Sequence, residues 1–328
     1  MHDPRAMRNL YKRHPSRFRL MLLTSFAAMF ACSCSAVTAV GVHFLYRRAE
    51  LPPAQIVREL CYVGTDDCDT GKHRLDFYLP ASKHWPVVVF IHGGNWDSGD
   101  KSLRVGGADV YANIGRYFAT QGIGVAVINY RLQPATDWRA QVDDARQAVR
   151  WVHAHAATYG GRPDALFVMG HSAGGYLAAF VALDSTGDHA TPVQGAICVS
   201  GAGLDLSDAR TYALGEDPRY YAKRFQSRDT RSAWQAVASP VHYAHPGAPP
   251  FLILFAGGEK PALQRQARVL EQALNRVGVE NSVVVVPGES HSRMVLTLSR
   301  PDKHSVPAIM AFIHAHTPGA QVPSPAVR

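Results

Sequence analysis

The sequence predicts an α/β fold in which a mostly parallel central sheet is covered by helices on both faces. Apolar runs of strand length alternate along the chain with longer amphipathic segments, as in strands that are joined by helices. Several runs, such as residues 87–91 and 124–130, are apolar without interruption, which is typical of strands buried on both faces. The 328 residues and the apolar fraction of 47% suffice for one large domain with extra segments.

Proline and glycine residues mark the boundaries of the predicted elements. Pro80 ends the second strand, Gly160 and Gly161 stop the longest helix, and Pro261 begins a later helix. The predicted strands are residues 60–63, 73–79, 87–91, 124–130, 165–169, 193–199, 251–255 and 282–286. The predicted helices are residues 110–120, 137–159, 176–183, 261–277 and 306–314.

The clearest predicted helix, residues 137–159, is amphipathic. Val142 and Val149 share one face at helical spacing, whereas Asp144 and Arg146 lie off that face. We therefore expect the apolar face to pack on the sheet.

Residues 203–248 interrupt the alternation of strands and helices with a polar stretch rich in Tyr, Arg and Asp. We predict a small cap-like insertion over the edge of the sheet where the strands end, because ligands bind at that edge in such folds. We expect this insertion to decide which substrate binds.

Residues 318–328, rich in proline and alanine, are expected to be frayed.

One short motif follows the strand at residues 165–169. Residues 170–175 read Gly-His-Ser-Ala-Gly-Gly and contain the pattern G-x-S-x-G between a predicted strand and a predicted helix. The glycines allow a tight turn that holds Ser172 in a strained backbone, and the helix N-terminus presents free N–H groups where negative charge would develop. This context favours a nucleophilic serine over a glycine-rich turn with a chance serine.

A nucleophilic serine needs a base, and the base needs a carboxylate that orients it. His291 follows the last predicted strand in a glycine-containing turn, and Glu259 is the only carboxylate between Pro249 and the next helix. Glu289 is a rival, although it lies only two residues from His291 and reaches the far ring nitrogen poorly. We predict a triad of Ser172, Glu259 and His291, whose chain order is Ser-acid-His.

The loop after the strand at residues 87–91 has the sequence His-Gly-Gly-Asn-Trp, at residues 92–96. A tetrahedral intermediate carries an oxyanion that backbone N–H groups stabilise. We predict an oxyanion hole built by Gly93, Gly94, Asn95 and Ala173. We expect His92 to have a structural role by forming a hydrogen bond within the loop. We expect Trp96 either to line the pocket or to pack in the core.

The positive charge of the chain is concentrated at its beginning. The formal net charge is +8, but residues 1–19 contain six basic side chains against one acidic side chain. No basic-aromatic motif typical of RNA or DNA binding occurs, so we predict no nucleic-acid partner.

Residues 20–46 contain no Asp, Glu, Lys or Arg, and at about 1.5 Å per residue a helix of this length can span a bilayer. The basic flank predicts that residues 1–19 stay in the cytoplasm. We predict an uncleaved anchor in a bacterial inner membrane, with the catalytic domain, residues 47–328, in the periplasm. The alternative is a cleaved signal peptide and a secreted protein.

The cysteines are compatible with export. Cys61 and Cys68 flank a short polar loop that a local disulfide could bridge. Cys198 lies in a predicted strand and is expected to be buried and inert. No second pair of Cys or His accompanies the first pair, so we predict no metal site.

Together these motifs resemble the esterase and lipase families of the α/β-hydrolase fold, over about residues 60–316. Residues 92–96, 129–132 (Asn-Tyr-Arg-Leu) and 170–175 are similar to the hormone-sensitive-lipase and kynurenine-formamidase-type branch, which also includes feruloyl and acetylxylan esterases. The resemblance implies a Ser-acid-His triad, no cofactor, and cleavage of carboxylic esters or small amides. The family acid is usually Asp, where this chain has Glu259. Asn95 replaces the third glycine of hormone-sensitive lipases, which favours the formamidase-like and feruloyl-esterase-like side.

We therefore predict a serine carboxylester hydrolase that takes a small-molecule ester and forms an acyl-enzyme. An arylformamidase or another small-amide hydrolase on the same fold is the first alternative. A catalytically silent binding module on this fold is the second alternative. The oligomeric state stays open.

Overall fold

The structure is a computed structural model that describes residues 46–64, 68, 71–185, 187–226 and 233–319. Its strands, numbered along the chain, are β1 (Ile56–Cys61), β2 (Arg74–Tyr78), β3 (Trp85–Ile91), β4 (Arg104–Val105), β5 (Ala108–Asp109), β6 (Gly124–Ile128), β7 (Gly161–His171), β8 (Gly195–Val199), β9 (Phe251–Ala256) and β10 (Asn281–Val286). Its helices are α1 (Val110–Thr120), α2 (Trp138–Tyr159), α3 (Ala173–Leu183), α4 (Ala209–Ala213), α5 (Pro218–Phe225), α6 (Trp234–Val237), α7 (Pro261–Arg276), α8 (His291–Thr297) and α9 (Ser305–Ala315).

Among the described residues, eight strands form the central sheet in the order β1-β2-β6-β3-β7-β8-β9-β10, and β4 and β5 form a separate hairpin. β2 is antiparallel to both of its neighbours, β1 and β6. Every other pair of neighbours in the sheet is parallel. The prediction of a mostly parallel sheet is confirmed.

Two hydrophobic cores lie on opposite faces of the sheet, because side chains alternate along each buried strand. Val87 and Val89 of β3 contribute to the core beneath α2 and α3, whereas Val88 and Phe90 contribute to the core beneath α1 and α9. The predicted helices on both faces are therefore present.

Helix α2 differs from its predicted pattern in one respect. Asp144 and Arg146 lie off the apolar stripe, yet both side chains are buried. Asp144 accepts hydrogen bonds from Arg131, with 2.6 Å between Nη2 and Oδ1, and faces His73. Arg146 pairs with Asp184. Charged groups are tolerated inside a protein when a partner compensates for the lost water, and all three of these partners lie outside α2.

The predicted insertion contains α4, α5, α6 and a short 3-10 helix, Pro240–Tyr243. It connects the carboxyl end of β8 to the amino end of β9, and because these neighbouring strands are parallel, the two ends lie at opposite edges of the sheet.

The structure joins Cys61 and Cys68 in a disulfide with a Cα–Cα distance of 6.0 Å. Cys198 is a buried free thiol, and burial raises its pKa to about 12, which agrees with the inert role we expected.

The predicted basic tail, almost all of the apolar segment, and residues 320–328 lie outside the described residues. Across the part of the chain that the structure describes, no helix is long and apolar enough to cross a membrane.

Candidate active site

Ser172 lies in the sharp turn between β7 and α3. It occupies the N-cap position of α3 with φ 57° and ψ −119°, a backbone conformation that L residues rarely adopt. A Cβ atom on Gly174 would lie 2.1 Å from the carbonyl oxygen of Ile91, and one on Gly170 would lie 2.0 Å from the carbonyl oxygen of Gly174. No side chain fits at either position, so the two glycines permit the close packing that holds the serine in a strained conformation.

The structure brings the three predicted triad side chains together. His291 Nε2 lies 2.9 Å from Ser172 Oγ, and His291 Nδ1 lies 3.2 Å from Glu259 Oε1. An ionised carboxylate only accepts hydrogen bonds, so Nδ1 carries the proton and Nε2 is free to accept from the serine hydroxyl. This is the arrangement of nucleophile, base and orienting acid that serine catalysis requires.

The two candidate acids differ in their partners rather than in burial. The Glu259 carboxylate is fully shielded from solvent and faces the imidazole. Glu289 is also buried, but it pairs with Arg293 at 3.3 Å and with Lys303 at 3.2 Å. The geometry favours Glu259 as the acid that orients the imidazole of His291.

His291 occupies a different local structure from the one we predicted. It is the first residue of α8 rather than part of a turn, and Ser290 is the N-cap residue of that helix. Helix α8 has only seven residues and was not predicted, because so short a segment carries little periodicity.

His171 is a residue of the site that the sequence analysis did not assign. Its Nε2 lies 2.9 Å from the carbonyl oxygen of His291, and the two ring centroids are 4.9 Å apart. Burial, and secondarily electrostatic repulsion between two protonated rings at His171 and His291, lowers the pKa of His171 to about 3. The ring is therefore neutral and donates from Nε2 to the backbone of His291. In the sequence, the position of His171 inside the G-x-S-x-G motif was the signal that could have identified it as a residue of the site.

The predicted oxyanion loop, residues 92–96, follows β3. The donor role that we predicted for Gly93 requires a correction. The N–H group of Gly93 donates to the hydroxyl of Tyr111 at 3.2 Å. Gly93 therefore holds the loop against α1 instead of offering a free donor to an oxyanion. Asn95 has φ 54° and lines the same cleft as Ser172. Gly94, Asn95 and Ala173 stay the predicted donors.

His92 and Trp96 support the loop from both sides. The His92 ring stacks on Tyr130 at a centroid distance of 4.5 Å, and Nδ1 donates to the carbonyl oxygen of Gly93 at 2.7 Å. Burial lowers the pKa of His92 to about 4, so this ring is neutral. Trp96 both lines the cleft and packs in the core, where its ring meets Phe225 edge-on at 4.9 Å.

A cleft of about 630 Å³ contains Ser172 and His291. The insertion forms one wall of it. The wall residues are Gly215, Glu216, Asp217, Tyr220 and Tyr221. The cleft thus combines aromatic and acidic groups beside the triad. Within the described ranges, no group of three or more His, Cys, Asp or Glu side chains is placed to hold a metal ion.

Comparisons with known proteins agree with this fold. The chain is 30% identical over 226 residues to "Esterase LipQ" of Mycobacterium tuberculosis, which covers 65% of this chain and 52% of the relative. It is 34% identical over 170 residues to "Probable isoprenylcysteine alpha-carbonyl methylesterase ICMEL1" of Oryza sativa subsp. japonica, covering 51% of this chain and 34% of the relative. The chain spans about half the length, or less, of these curated relatives.

Among solved structures, esterase B from Lactobacillus rhamnosis has a TM-score of 0.68 and 21% sequence identity, with 90% of this chain and 94% of that chain covered. This similarity supports the α/β-hydrolase fold. The BD-FAE family model matches residues 75–274, which include the oxyanion loop, Ser172 and Glu259. The chain therefore belongs to the BD-FAE family of α/β-hydrolase-fold proteins.

Proposed function

We propose that the protein is a serine carboxylester hydrolase that acts on small carboxylic esters through Ser172, His291 and Glu259. The observation that carries the proposal is the pair of hydrogen-bond distances, 2.9 Å and 3.2 Å, that join these side chains across the carboxyl edge of the sheet. The names of its relatives, which include esterases and carboxylic ester hydrolases, support ester hydrolysis.

In the first half of the reaction, Ser172 Oγ attacks the ester carbonyl carbon while His291 Nε2 takes the hydroxyl proton. Glu259 stabilises the imidazolium that forms. The N–H groups of Gly94, Asn95 and Ala173 bind the oxyanion of the tetrahedral intermediate. When this intermediate collapses, the C–O bond to the alcohol breaks and His291 returns the proton to the leaving alcohol.

In the second half, a water molecule attacks the acyl-enzyme. His291 takes one proton from this water, and the new oxyanion occupies the same N–H groups. Collapse of the second intermediate releases the carboxylic acid and restores the hydroxyl of Ser172. The chemistry of these residues needs no cofactor.

The test compares the wild type with Ser172→Ala in the hydrolysis of short-chain nitrophenyl esters. We expect kcat to fall by at least about 10⁴-fold, because loss of the nucleophile removes the acyl-enzyme route. Ser207→Ala is the matched control, since Ser207 is an exposed serine of the insertion that bonds Asp205 outside the cleft. Equal rates in the wild type and Ser172→Ala would refute the proposal.

Two further probes separate the alternatives. Faster turnover of N-formylkynurenine than of any ester in the panel would identify an arylformamidase. A failure of Ser172 to react with a fluorophosphonate would favour a catalytically silent binding module.

A further inference from the structure

Arg224 connects the insertion to the oxyanion loop. This side chain extends from α5 and is only 14% exposed. Its Nε donates to the carbonyl oxygen of Asn95 at 3.1 Å, and its guanidinium pairs with the carboxylate of Asp97. The two contacts place one cation from the insertion on the segment that carries two of the proposed oxyanion donors.

The guanidinium of Arg224 is itself held in place. Its central carbon lies 3.8 Å from the centroid of the Tyr220 ring, and the backbone carbonyl of Arg224 accepts a hydrogen bond from Gln133 at 3.0 Å. A guanidinium stacked on an aromatic face and paired with a carboxylate has few other orientations available. Arg224 therefore behaves as a fixed support rather than as a mobile surface arginine.

The segment that Arg224 holds is strained. Asn95 has φ 54° and Trp96 has φ 64°, and neither is glycine. Such conformations are strained in residues other than glycine and persist only where surrounding contacts enforce them. The loop consequently needs contacts from outside it to hold this backbone conformation.

Arg224 supports both peptide groups that flank Asn95. It holds the following peptide directly, through the carbonyl oxygen of Asn95. It supports the preceding peptide through Asp97, whose N–H group donates to the carbonyl oxygen of Gly94 at 3.2 Å, beside the N–H and hydroxyl groups of Ser98, which donate to the same oxygen at 2.9 and 2.8 Å. In a trans peptide the carbonyl and the N–H group point in opposite directions. A fixed Gly94 carbonyl therefore fixes the direction of the Asn95 N–H.

We propose that Arg224 is a positioning residue for the oxyanion hole, supplied by the insertion, that aligns the Asn95 N–H with the developing oxyanion. This inference rests on the proposed function, because it assigns a support to one of its proposed donors. The insertion then has two roles, since it forms a wall of the cleft and also completes the catalytic geometry.

The experiment replaces Arg224 by Met, which keeps a long apolar stem but donates no hydrogen bond. Loss of one oxyanion donor costs about 10²- to 10³-fold in kcat, so a misaligned donor is expected to cost about 10- to 100-fold. We expect KM for nitrophenyl acetate to change by less than about threefold, because the oxyanion contact acts mainly in the transition state.

A second readout reports the oxyanion hole itself. Thionoesters, which carry C=S in place of C=O, develop charge on a sulfur atom that accepts hydrogen bonds weakly. An aligned hole therefore favours the oxygen ester, and we expect the ratio of kcat/KM for oxygen ester over thionoester to fall at least about threefold in Arg224→Met. A residue with only a structural role would lower both rates equally.

Arg219→Met is the matched control. Arg219 lies on the same helix, but its side chain is 91% exposed and pairs with Asp217 instead of the oxyanion loop. We expect wild-type kcat and an unchanged ratio for this variant. If Arg224→Met fails to fold, as judged by circular dichroism and Tm, then Asp97→Asn and Arg224→Lys provide the same two readouts with smaller expected changes.

The outcomes distinguish the inference from the proposed function. An unchanged ratio in Arg224→Met, whether kcat falls or not, overturns the positioning role while Ser172→Ala stays inactive. Full activity in Ser172→Ala overturns the proposed function and the inference together. A lower kcat with a lower ratio, absent in Arg219→Met, supports the positioning role.

Discussion

At the scale of single residues, Glu259 decides how the proposed triad works. Its carboxylate lies 3.2 Å from His291 Nδ1, is shielded from bulk solvent, and offers the imidazole a negative charge. Glu259→Gln keeps the shape but removes that charge. We expect kcat for nitrophenyl acetate to fall by about 10³- to 10⁴-fold, because the imidazolium loses its stabilising partner and the ring loses its preferred tautomer.

Glu289→Gln is the control for this change. Glu289 is equally buried but pairs with Arg293 and Lys303 rather than with the imidazole. We expect this variant to retain kcat within about threefold, whereas its free energy of unfolding falls by about 3 kcal/mol because two cations lose a buried partner. A larger loss of kcat in Glu289→Gln than in Glu259→Gln would reverse the assignment of the acid.

Two buried neutral histidines make the stability depend on pH. Burial lowers the pKa of His92 to about 4 and that of His171 to about 3, whereas a histidine in an unfolded chain has a pKa of about 6.5. Between about pH 6.5 and pH 4 the unfolded chain therefore binds more protons than the folded chain. The free energy of unfolding falls as the pH is lowered, by at most about 1.4 kcal/mol per pH unit for each histidine.

Urea unfolding at pH 7.5 and at pH 5 measures this dependence. We expect His171→Gln to lose less stability than the wild type over that interval, because one of the two proton-binding groups is absent from its unfolded state. An identical pH dependence in the variant and the wild type would contradict the expectation.

At the scale of elements, the turn between β7 and α3 depends on its glycines. A methyl group on Gly174 would meet the carbonyl oxygen of Ile91 at 2.1 Å, and backbone of a central strand has little room to move. We expect Gly174→Ala to lower the free energy of unfolding by about 3 kcal/mol and to reduce kcat, because Ser172 shifts with the helix.

Gly64→Ala is the matched control for this substitution. A Cβ atom on Gly64 has nothing within 4 Å, and this glycine does not need a left-handed backbone conformation. We expect its Tm to stay within about 2 °C of the wild type, since exposed substitutions usually change stability by less than about 0.5 kcal/mol. Equal destabilisation by both substitutions would show that close packing at the turn is not the cause.

The sequence predicted long elements better than short ones. Uninterrupted apolar runs located β3, β6 and β9 to within a few residues, because burial on both faces leaves a continuous signal. Helix α8 and the hairpin of β4 and β5 were not predicted, since they contain too few residues to show a period. The burial of Asp144 was also not predicted, because its partners come from other elements.

At the scale of the whole molecule, topology explains why the sequence could predict that the three proposed triad side chains lie together. Ser172, Glu259 and His291 follow β7, β9 and β10, and the carboxyl ends of parallel strands lie at one edge of a sheet. Residues distant in sequence therefore meet in space whenever the strand assignments are right. The contacts of His171 and Arg224 could not be predicted in this way, because they depend on the conformations of the loops and of the insertion that pack on that edge.

The connection of β8 to β9 through the insertion has a consequence for protein engineering. Residues 203–248 lead from the carboxyl end of β8 to the amino end of its parallel neighbour β9, so a designer who replaces them to alter selectivity needs a module that spans the two opposite edges of the sheet. From the proposed positioning role of Arg224, we expect a transplanted module without a counterpart of this residue to bind its new ligand yet turn it over slowly. Chimeras of this protein should therefore retain or recreate that guanidinium before any library of new binding surfaces is screened.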